Sequence, residues 1–308
     1  MNGKRVLVTG GSGFIGGAIA EALRPDNDVR VLDTDPAPTS PDGVDVIEGD
    51  VRDREAVDAA VKGVDVVFHQ AAVVSVAQSV ADPMESHAVN STGTLQVLEA
   101  ARRHGARVVG ASSAAIYGDP ERVPVAETAP LAPTSPYGLT KLALDHYLRL
   151  YHELYGLDTV ALRYFNVYGP GQTGGDYAGV MEAFLQQARA GDPLTVHGDG
   201  EQTRDFVHID DVVRANVLAA ETDAVGSAYN VGTGHSVTIG DLAKRVRRAV
   251  GSDSPIVSRD ARDGDVRHSC ADIARSSEEL GYQPSVSLDD GIATLVDERG
   301  RSDVPVES

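Results

Sequence analysis

The sequence predicts an α/β protein: a doubly wound parallel sheet (Rossmann), with a smaller mixed α/β part beside it. Three observations carry this. Six apolar runs of strand length alternate with helical patterns before about residue 165. The first run, Val6 to Val8, leads into three glycines spaced by three, Gly10, Gly13 and Gly16, and then into a helical pattern through Phe14, Ile15, Ile19 and Leu23. The second run, Val29 to Leu32, ends on Asp33, an acid about 20 residues past the glycines. Strand, glycine turn, helix and acid are the opening of a βαβ dinucleotide-binding unit. Gly10 lets the chain turn off the strand, Gly13 keeps side-chain bulk away from a pyrophosphate, and Gly16 lets the helix lie close on the strand. The helix N-terminus offers N–H groups and partial positive charge to phosphates. Asp33 suits a ribose 2′-OH and would repel a 2′-phosphate, so NAD is expected rather than NADP.

Taken in order, the Pro-rich stretch Pro36 to Pro41 cannot be helix interior and reads as a loop. Val44 to Ile47 is a third strand, followed by Gly49, Asp50 and Val51. Asp50 is a candidate for the adenine amino group, or simply a turn acid. Val64 to Phe68 is a fourth strand, leading into Ala71-Ala72, small enough for backbone to lie against a cofactor. Asp82, Pro83 and Glu85 form a helix start, and the helix should run to His104 and stop at Gly105. Asn90 falls inside it. Arg107 to Ala111 is strand five, ending in Ser112-Ser113. Ser135-Pro136 opens a helix running to about Tyr155, stopped by Gly156, and Thr159 to Arg163 is strand six. In such sheets ligands bind beyond the carboxyl ends of the strands. Past residue 166 the texture changes. Gly169-Pro170-Gly171 and Gly174-Gly175 break the chain before a helix from about Val180 to Ala190. Short strands follow to Val207, then a helix from Asp211 to Ala220, a last sheet strand at Ala228 to Val231 and an amphipathic helix from Ile239 to Val250. Gly300 to Ser308 is expected to fray.

The chain has 308 residues, 42% of them hydrophobic, enough for one large α/β domain or two intimately packed ones. No apolar stretch reaches the ~20 residues of a membrane span. The N-terminus enters strand one directly, so no signal peptide is read. One cysteine, Cys270, excludes an intrachain disulfide framework and fits a cytoplasmic setting. The nine histidines show no metal-ligand spacing, so no metal is expected. Net charge is −19, which excludes nucleic-acid binding through a general basic surface. Any anionic ligand then needs local arginines or helix N-termini. Such acidity with few lysines also fits a halophilic protein, or simply an acidic one.

Tyr137 and Lys141 lie four apart on one helix and share a face. A lysine ammonium and a nicotinamide cation nearby would lower the phenol's ordinary value near 10, making Tyr137 a usable base. Ser113, on the preceding strand end, could share the same hydrogen bond to a substrate.

These motifs resemble the extended short-chain dehydrogenase/reductases, specifically the NAD-dependent nucleotide-sugar epimerase/dehydratase family, and most of all its UDP-glucose 4-epimerase branch. The resemblance covers nearly the whole chain: TGGSGFIG from Thr9, FHQAA from Phe68, SSAAIYG from Ser112, YGLTK from Tyr137, RYFNVYGP from Arg163, GDGEQTRDFVHIDD from Gly198, YNVGTG from Tyr229 and RDGD from Arg262. It implies 4-epimerisation of a UDP-hexose through a transient 4-keto sugar, with NAD retained between turnovers. Tyr137 would be the base, Lys141 would hold the nicotinamide ribose and tune it, and Ser113 would assist. NAD would lie against Gly10, Gly13, Phe14, Ile15 and Gly16, then Asp33, Asp50 and Val51, and then Ala71, Ala72, Asn90, Ser112 and Tyr164. The nucleotide sugar would meet Asn166, Val180, Arg204, Arg262, Asp265 and Ser269. Residues 1–165 with about 206–232 would form the NAD-binding domain, and 166–205 with 233–308 the nucleotide-sugar-binding one. A homodimer through the helices at about 83–104 and 136–155 is implied. The family's 4,6-dehydratases carry an Asp-Glu pair where this chain has Ala114-Ala115, which cannot transfer protons. Another nucleotide-sugar epimerase or a reductase stays open. A non-catalytic NAD-binding regulator would be expected to lack the Tyr–Lys pair.

Overall fold

The computed structural model describes residues 1–35, 43–172, 179–261 and 265–302. The expected loop at Pro36 to Pro41, the breaks at Gly174-Gly175, Arg262 and the tail from residue 303 lie outside these.

A parallel sheet of seven strands forms the centre, in the order β11-β6-β5-β4-β1-β2-β3. Its members are β1 (Arg5–Thr9), β2 (Asp28–Asp33), β3 (Val44–Glu48), β4 (Val66–His69), β5 (Arg107–Ser113), β6 (Thr159–Tyr164) and β11 (Ser227–Val231). The alternation of the first run settles its two faces. Val6 and Val8 pack with α1 (Phe14–Leu23) and α8 (Ile209–Glu221), while Leu7 points to α2 (Arg54–Val61), α5 (Gly93–His104) and α6 (Pro136–Tyr155). Covered on both faces, the central strands β1, β4, β5 and β6 run mostly through buried apolar residues, whereas β2 and β3 towards the edge alternate with Arg30 and Asp45. The order reverses at β1, whose neighbours are β2 and β4. That switch point opens a crevice at the carboxyl ends of β1 and β4.

The expected single helix from residue 83 to His104 is not one α-helix. After α3 (Val76–Ala81), capped by Ser75, come α4 (Pro83–His87), a π-helical turn at Ala88–Thr92, and α5. Asp82 caps α4 as expected, accepting from the Glu85 N–H at 3.0 Å. A Cβ on Gly93 would lie 2.7 Å from a Val51 methyl, so α5 starts hard against the turn after β3. The π turn rotates Asn90 inward, away from the helical register that the sequence pattern assumes.

Beyond β6 the chain builds a second, smaller core. It contains α7 (Val180–Ala190), α9 (Ile239–Val250) and α11 (Leu288–Ser302), joined through Phe184, Leu242, Val246 and Ile292. Three two-stranded ribbons complete it: β7 (Asn166–Tyr168) with β10 (Phe206–His208), β8 (Leu194–His197) with β13 (Ile256–Arg259), and β9 (Thr203–Arg204) with β12 (Val237–Thr238). A short helix, α10 (Ala274–Leu280), packs on β11. The backbone of α11 continues to Ser302, past the point where fraying was expected. Among the described residues, no helix is long and apolar enough to cross a membrane.

Candidate active site

The glycine turn is built as its spacing demands. Gly10 has φ +68°, and a Cβ there would lie 2.7 Å from the Ala71 backbone. A Cβ on Gly16 would lie 2.1 Å from the Gly10 carbonyl oxygen. Gly13 occupies the N-cap of α1 and no side chain caps that helix. Its first N–H groups are therefore left to solvent or to an anion. Together with the bare backbone of the turn, this cradle fits a dinucleotide pyrophosphate.

A cleft of about 770 Å³ runs across this turn, in the range of small-molecule sites. Its walls include Gly10, Gly13, Phe14, Ile15, Gly16, Asp33, Asp50, Val51, Ala71, Ala72, Ser112, Ser113, Tyr137, Lys141, Tyr164 and Asn166. At one end, Asp33 is held by the N–H groups of Ser12 (3.0 Å) and Asp35 (3.2 Å). Asp50 is gripped by Arg52, whose guanidinium holds its carboxyl below the usual carboxylate range.

At the other end stands the first turn of α6. Ser135 caps it, accepting from Gly138 N–H at 3.1 Å. Tyr137, Lys141 and Asp145 recur every four residues on its inner face. The Lys141 Nζ donates to the Ala111 carbonyl at 2.8 Å, lies 5.9 Å from the Tyr137 ring centre, and is only 3% exposed. Burial pulls its ammonium down to about 8. Burial also pushes the Tyr137 phenol up, with the Ser113 hydroxyl bond pulling the other way. The expected lowering by lysine is therefore not the dominant effect in the ligand-free protein; removal from water is. Asp145 fixes the helix further in, accepting both Arg163 bonds at 2.9 Å and the Ser112 hydroxyl at 3.0 Å.

A polar relay ties the cleft floor to the helices. Thr94 donates to the Asn90 carbonyl at 2.5 Å, so its oxygen accepts from His69 Nε2 at 3.0 Å. His69 Nδ1 then accepts from the Thr9 hydroxyl at 2.8 Å, and Thr9 accepts from Ala71 N–H at 3.3 Å. This assigns one neutral tautomer, and burial holds His69 at about 3. Asn90, expected to touch the cofactor, lies behind the wall. Its amide accepts from Val73 N–H (2.7 Å) and donates to the Val73 carbonyl (2.9 Å) and Thr140 (3.0 Å). Its polar atoms are spent on the wall itself. Ser112 and Tyr164 do face the cleft, but their hydroxyls are engaged with Asp145 and with Asn216 (3.0 Å).

Of the expected sugar-side residues, Asn166 lines the cleft, as do Ser113 and Tyr137, while the other described ones lie outside it. Arg204 on β9 forms an ion pair with Asp265 and donates to the Thr203 carbonyl at 2.8 Å. The Ser269 N–H donates to the same carbonyl at 3.1 Å. Val180 opens α7 behind Gly179. Arg204, Asp265, Ser269 and Val180 are not among the cleft walls, and Arg262 is outside the described residues. Buried Asp205 organises this side, accepting from the N–H groups of Thr233 (2.8 Å), Gly234 (3.0 Å) and Ala271 (3.0 Å). Residues that sequence reasoning missed also line the cleft: Ser12, Arg52, Gln70, Glu85 and Gln172. Ser12 and Arg52 adjoin residues already singled out and could have been found; Glu85 carries no such signal.

Residues 6–232 match the model of the "NAD dependent epimerase/dehydratase family". The chain is 37% identical to a UDP-glucose 4-epimerase of Mycolicibacterium smegmatis, over 95% of this chain and 97% of that one. A solved UDP-glucose 4-epimerase of Thermotoga maritima with UDP-glucose superposes with a TM-score of 0.93 at 36% identity, covering 97% of this chain and 99% of the other. A UDP-N-acetylglucosamine 4-epimerase of Methanobrevibacter ruminantium, in complex with UDP-N-acetylmuramic acid, gives 0.90 at 34%, covering 97% and 100%. With its glycine cradle, its acid at the end of β2 and its Ser113–Tyr137–Lys141 cluster, the chain belongs to the NAD dependent epimerase/dehydratase family.

Proposed function

We propose that the protein is an NAD-dependent 4-epimerase of UDP-hexoses, interconverting UDP-glucose and UDP-galactose. One observation carries the reading: Ser113, Tyr137 and Lys141 meet at one end of a cleft whose middle is the glycine cradle. Bound there, NAD would take a hydride from the sugar C4 and return it to the opposite face. Tyr137 would accept the 4-OH proton and give it back, while Ser113 would position that hydroxyl. Lys141 keeps a positive charge beside Tyr137 at neutral pH, since its ammonium titrates near 8. Asp33 would take the adenosine ribose hydroxyls. Asn166, Arg204 and Arg262 would hold the substrate diphosphate and Asp265 the uridine ribose, anchoring the substrate while the keto sugar turns over. The part formed by 166–205 and 233–308 would serve as the sugar-nucleotide domain. Ala114 and Ala115, in the turn after Ser113, supply no proton donor, which argues against dehydration.

A second substrate class is favoured by Ser269. In the resembling epimerases the matching position flanks the sugar C2 substituent, and a serine leaves room for an acetamido group. UDP-N-acetylglucosamine is therefore included. A homodimer is supported by apolar side chains standing exposed on adjoining helices: Val76 and Val80 on α3, Met84 on α4, Leu139 and Leu154 on α6. The single, buried Cys270 supports a reducing, cytoplasmic setting, and the charge of −19 supports one of high salt. The deciding experiment measures NAD in the purified protein and follows UDP-galactose by NMR. Stoichiometric NAD with formation of UDP-glucose is expected. NAD without any epimerised product would sink the UDP-hexose reading and leave another nucleotide-sugar reaction or a binding protein.

A further inference from the structure

We infer that Arg52 and Glu85 form an ionic clasp over the adenosine end of the cleft and slow the exit of the bound dinucleotide. The inference rests on NAD being the cofactor. Arg52 follows the turn after β3, and Glu85 lies 33 residues away on the first turn of α4. Both line the cleft, in company with Asp33, Asp35 and Asp50. The Arg52 guanidinium is shared between two banks. Its Nη2 donates to Asp50 Oδ2 at 2.6 Å and its Nε to both Asp50 oxygens at 3.0 and 2.9 Å. Its Nη1 reaches Glu85 Oε2 at 2.8 Å. Asp50 also takes the Arg52 backbone N–H at 2.8 Å, so the arginine is seated on one bank before it reaches for the other. The Glu85 backbone is held by the Asp82 cap, and its carboxylate is turned to the Arg52 guanidinium.

Seating decides what the bridge can do. An exposed ion pair adds little to folding, because two mobile side chains must be ordered to make it. Here Arg52 is already fixed on Asp50, so the bridge has only the Glu85 side chain to order. The bridge spans two elements, the turn after β3 and α4, whose Arg52 and Glu85 both line the cleft. A ligand filling that end cannot leave past Arg52 without the Arg52–Glu85 bond opening. The bond then acts on the dissociation rate rather than on the chemistry at Tyr137. Arg52 and Glu85 are positioning residues for retention. A reaction that returns the cofactor to its starting state every turnover gains from such retention.

The test follows release of NAD from loaded protein by stopped-flow fluorescence, for wild type, Glu85→Gln, Arg52→Gln and the double variant, from low to molar KCl. Glu85→Gln keeps the Arg52–Asp50 pair and removes the charge from the bridge. It should speed release about three- to five-fold, the scale of a single well-seated ion pair. The double variant should be no faster than Arg52→Gln, since both changes break one bond. Salt should speed release from wild type and leave Glu85→Gln much flatter. Thermal midpoints of the NAD-free proteins should stay together, which a merely structural role for Glu85 would not allow. Equal release from wild type and Glu85→Gln, or equal salt dependence of the two, would overturn the clasp alone. A wild type without affinity for NAD would overturn both the clasp and the functional reading.

Discussion

Lys141 should weaken the fold that carries it. Its ammonium is buried and meets one protein acceptor, the Ala111 carbonyl. Moving a lysine from its ordinary 10.5 to about 8 corresponds to roughly 3 kcal/mol of burial cost at neutral pH. Lys141→Met fills similar space without charge. It forfeits one hydrogen bond to a carbonyl, worth about 1–2 kcal/mol. The NAD-free variant should then be more stable than wild type by about 1–2 kcal/mol, or about 2–3 °C in a chain of this length. The sign of the pH dependence is fixed. Since the folded value lies below the unfolded one, between about 8 and 10.5 the unfolded chain holds the proton that the folded chain has released. Wild type therefore gains stability across that window relative to the variant. The gap is full below about pH 8, closes near about pH 9 to 9.5 and reverses towards 10.5, because the roughly 3 kcal/mol recovered exceeds the net advantage. Differential scanning calorimetry of stripped protein between pH 7 and 10.5 reads it, while UDP-galactose turnover should be lost. A variant less stable than wild type at pH 7, or a gap indifferent to pH, would refute the reasoning.

Tyr137→Phe should keep the fold and NAD binding but cut kcat by about 10²–10⁴-fold, the scale of a lost general base; calorimetric NAD titration beside an NMR rate assay checks both halves. His69, held neutral at about 3 against an ordinary 6.5, should make stability fall by up to about 1.4 kcal/mol per pH unit as the solution is acidified below 6.5. In urea unfolding from pH 6.5 to 4.5, His69→Gln should start less stable and lose less; parallel slopes would rule the relay out as the source. Wild type should act on UDP-N-acetylglucosamine, and Ser269→Tyr should shift kcat/KM towards UDP-glucose; an unchanged ratio would remove Ser269 from the sugar pocket.

The parts legible in the sequence are those that local physics dictates. Glycines at 10 and 16 admit no Cβ because backbone lies 2.7 and 2.1 Å from where it would stand, a Cβ at Gly13 would be tight at 3.3 Å, and that spacing is visible in one dimension. The strands β1, β5 and β6 announce themselves because burial on both faces leaves their inner runs mostly Val, Leu and Ala. Helix α6 starts and ends where Ser135, Pro136 and Gly156 say it should. The pairing of Tyr137 with Lys141 follows from helical periodicity alone.

What depends on partners distant in the chain was decided only by tertiary structure. The turn at Ala88–Thr92 is π-helical, with Asn90 bonded to Val73 and Thr140, 17 residues before it and 50 after it; no local propensity encodes either partner. Tyr137 and Lys141 share a face by sequence, yet their titration is governed by burial, which only the packing of α6 on β5 creates. His69 reads as one histidine among nine until Thr9 and Thr94 close on its two nitrogens. Arg52 and Glu85, polar surface residues in sequence, become opposite banks of one cleft because the turn after β3 and the start of α4 meet at the same end of the sheet. Periodicity and glycine spacing act within a few residues and can be read from order alone, whereas burial and charge pairing depend on which segments the fold brings together.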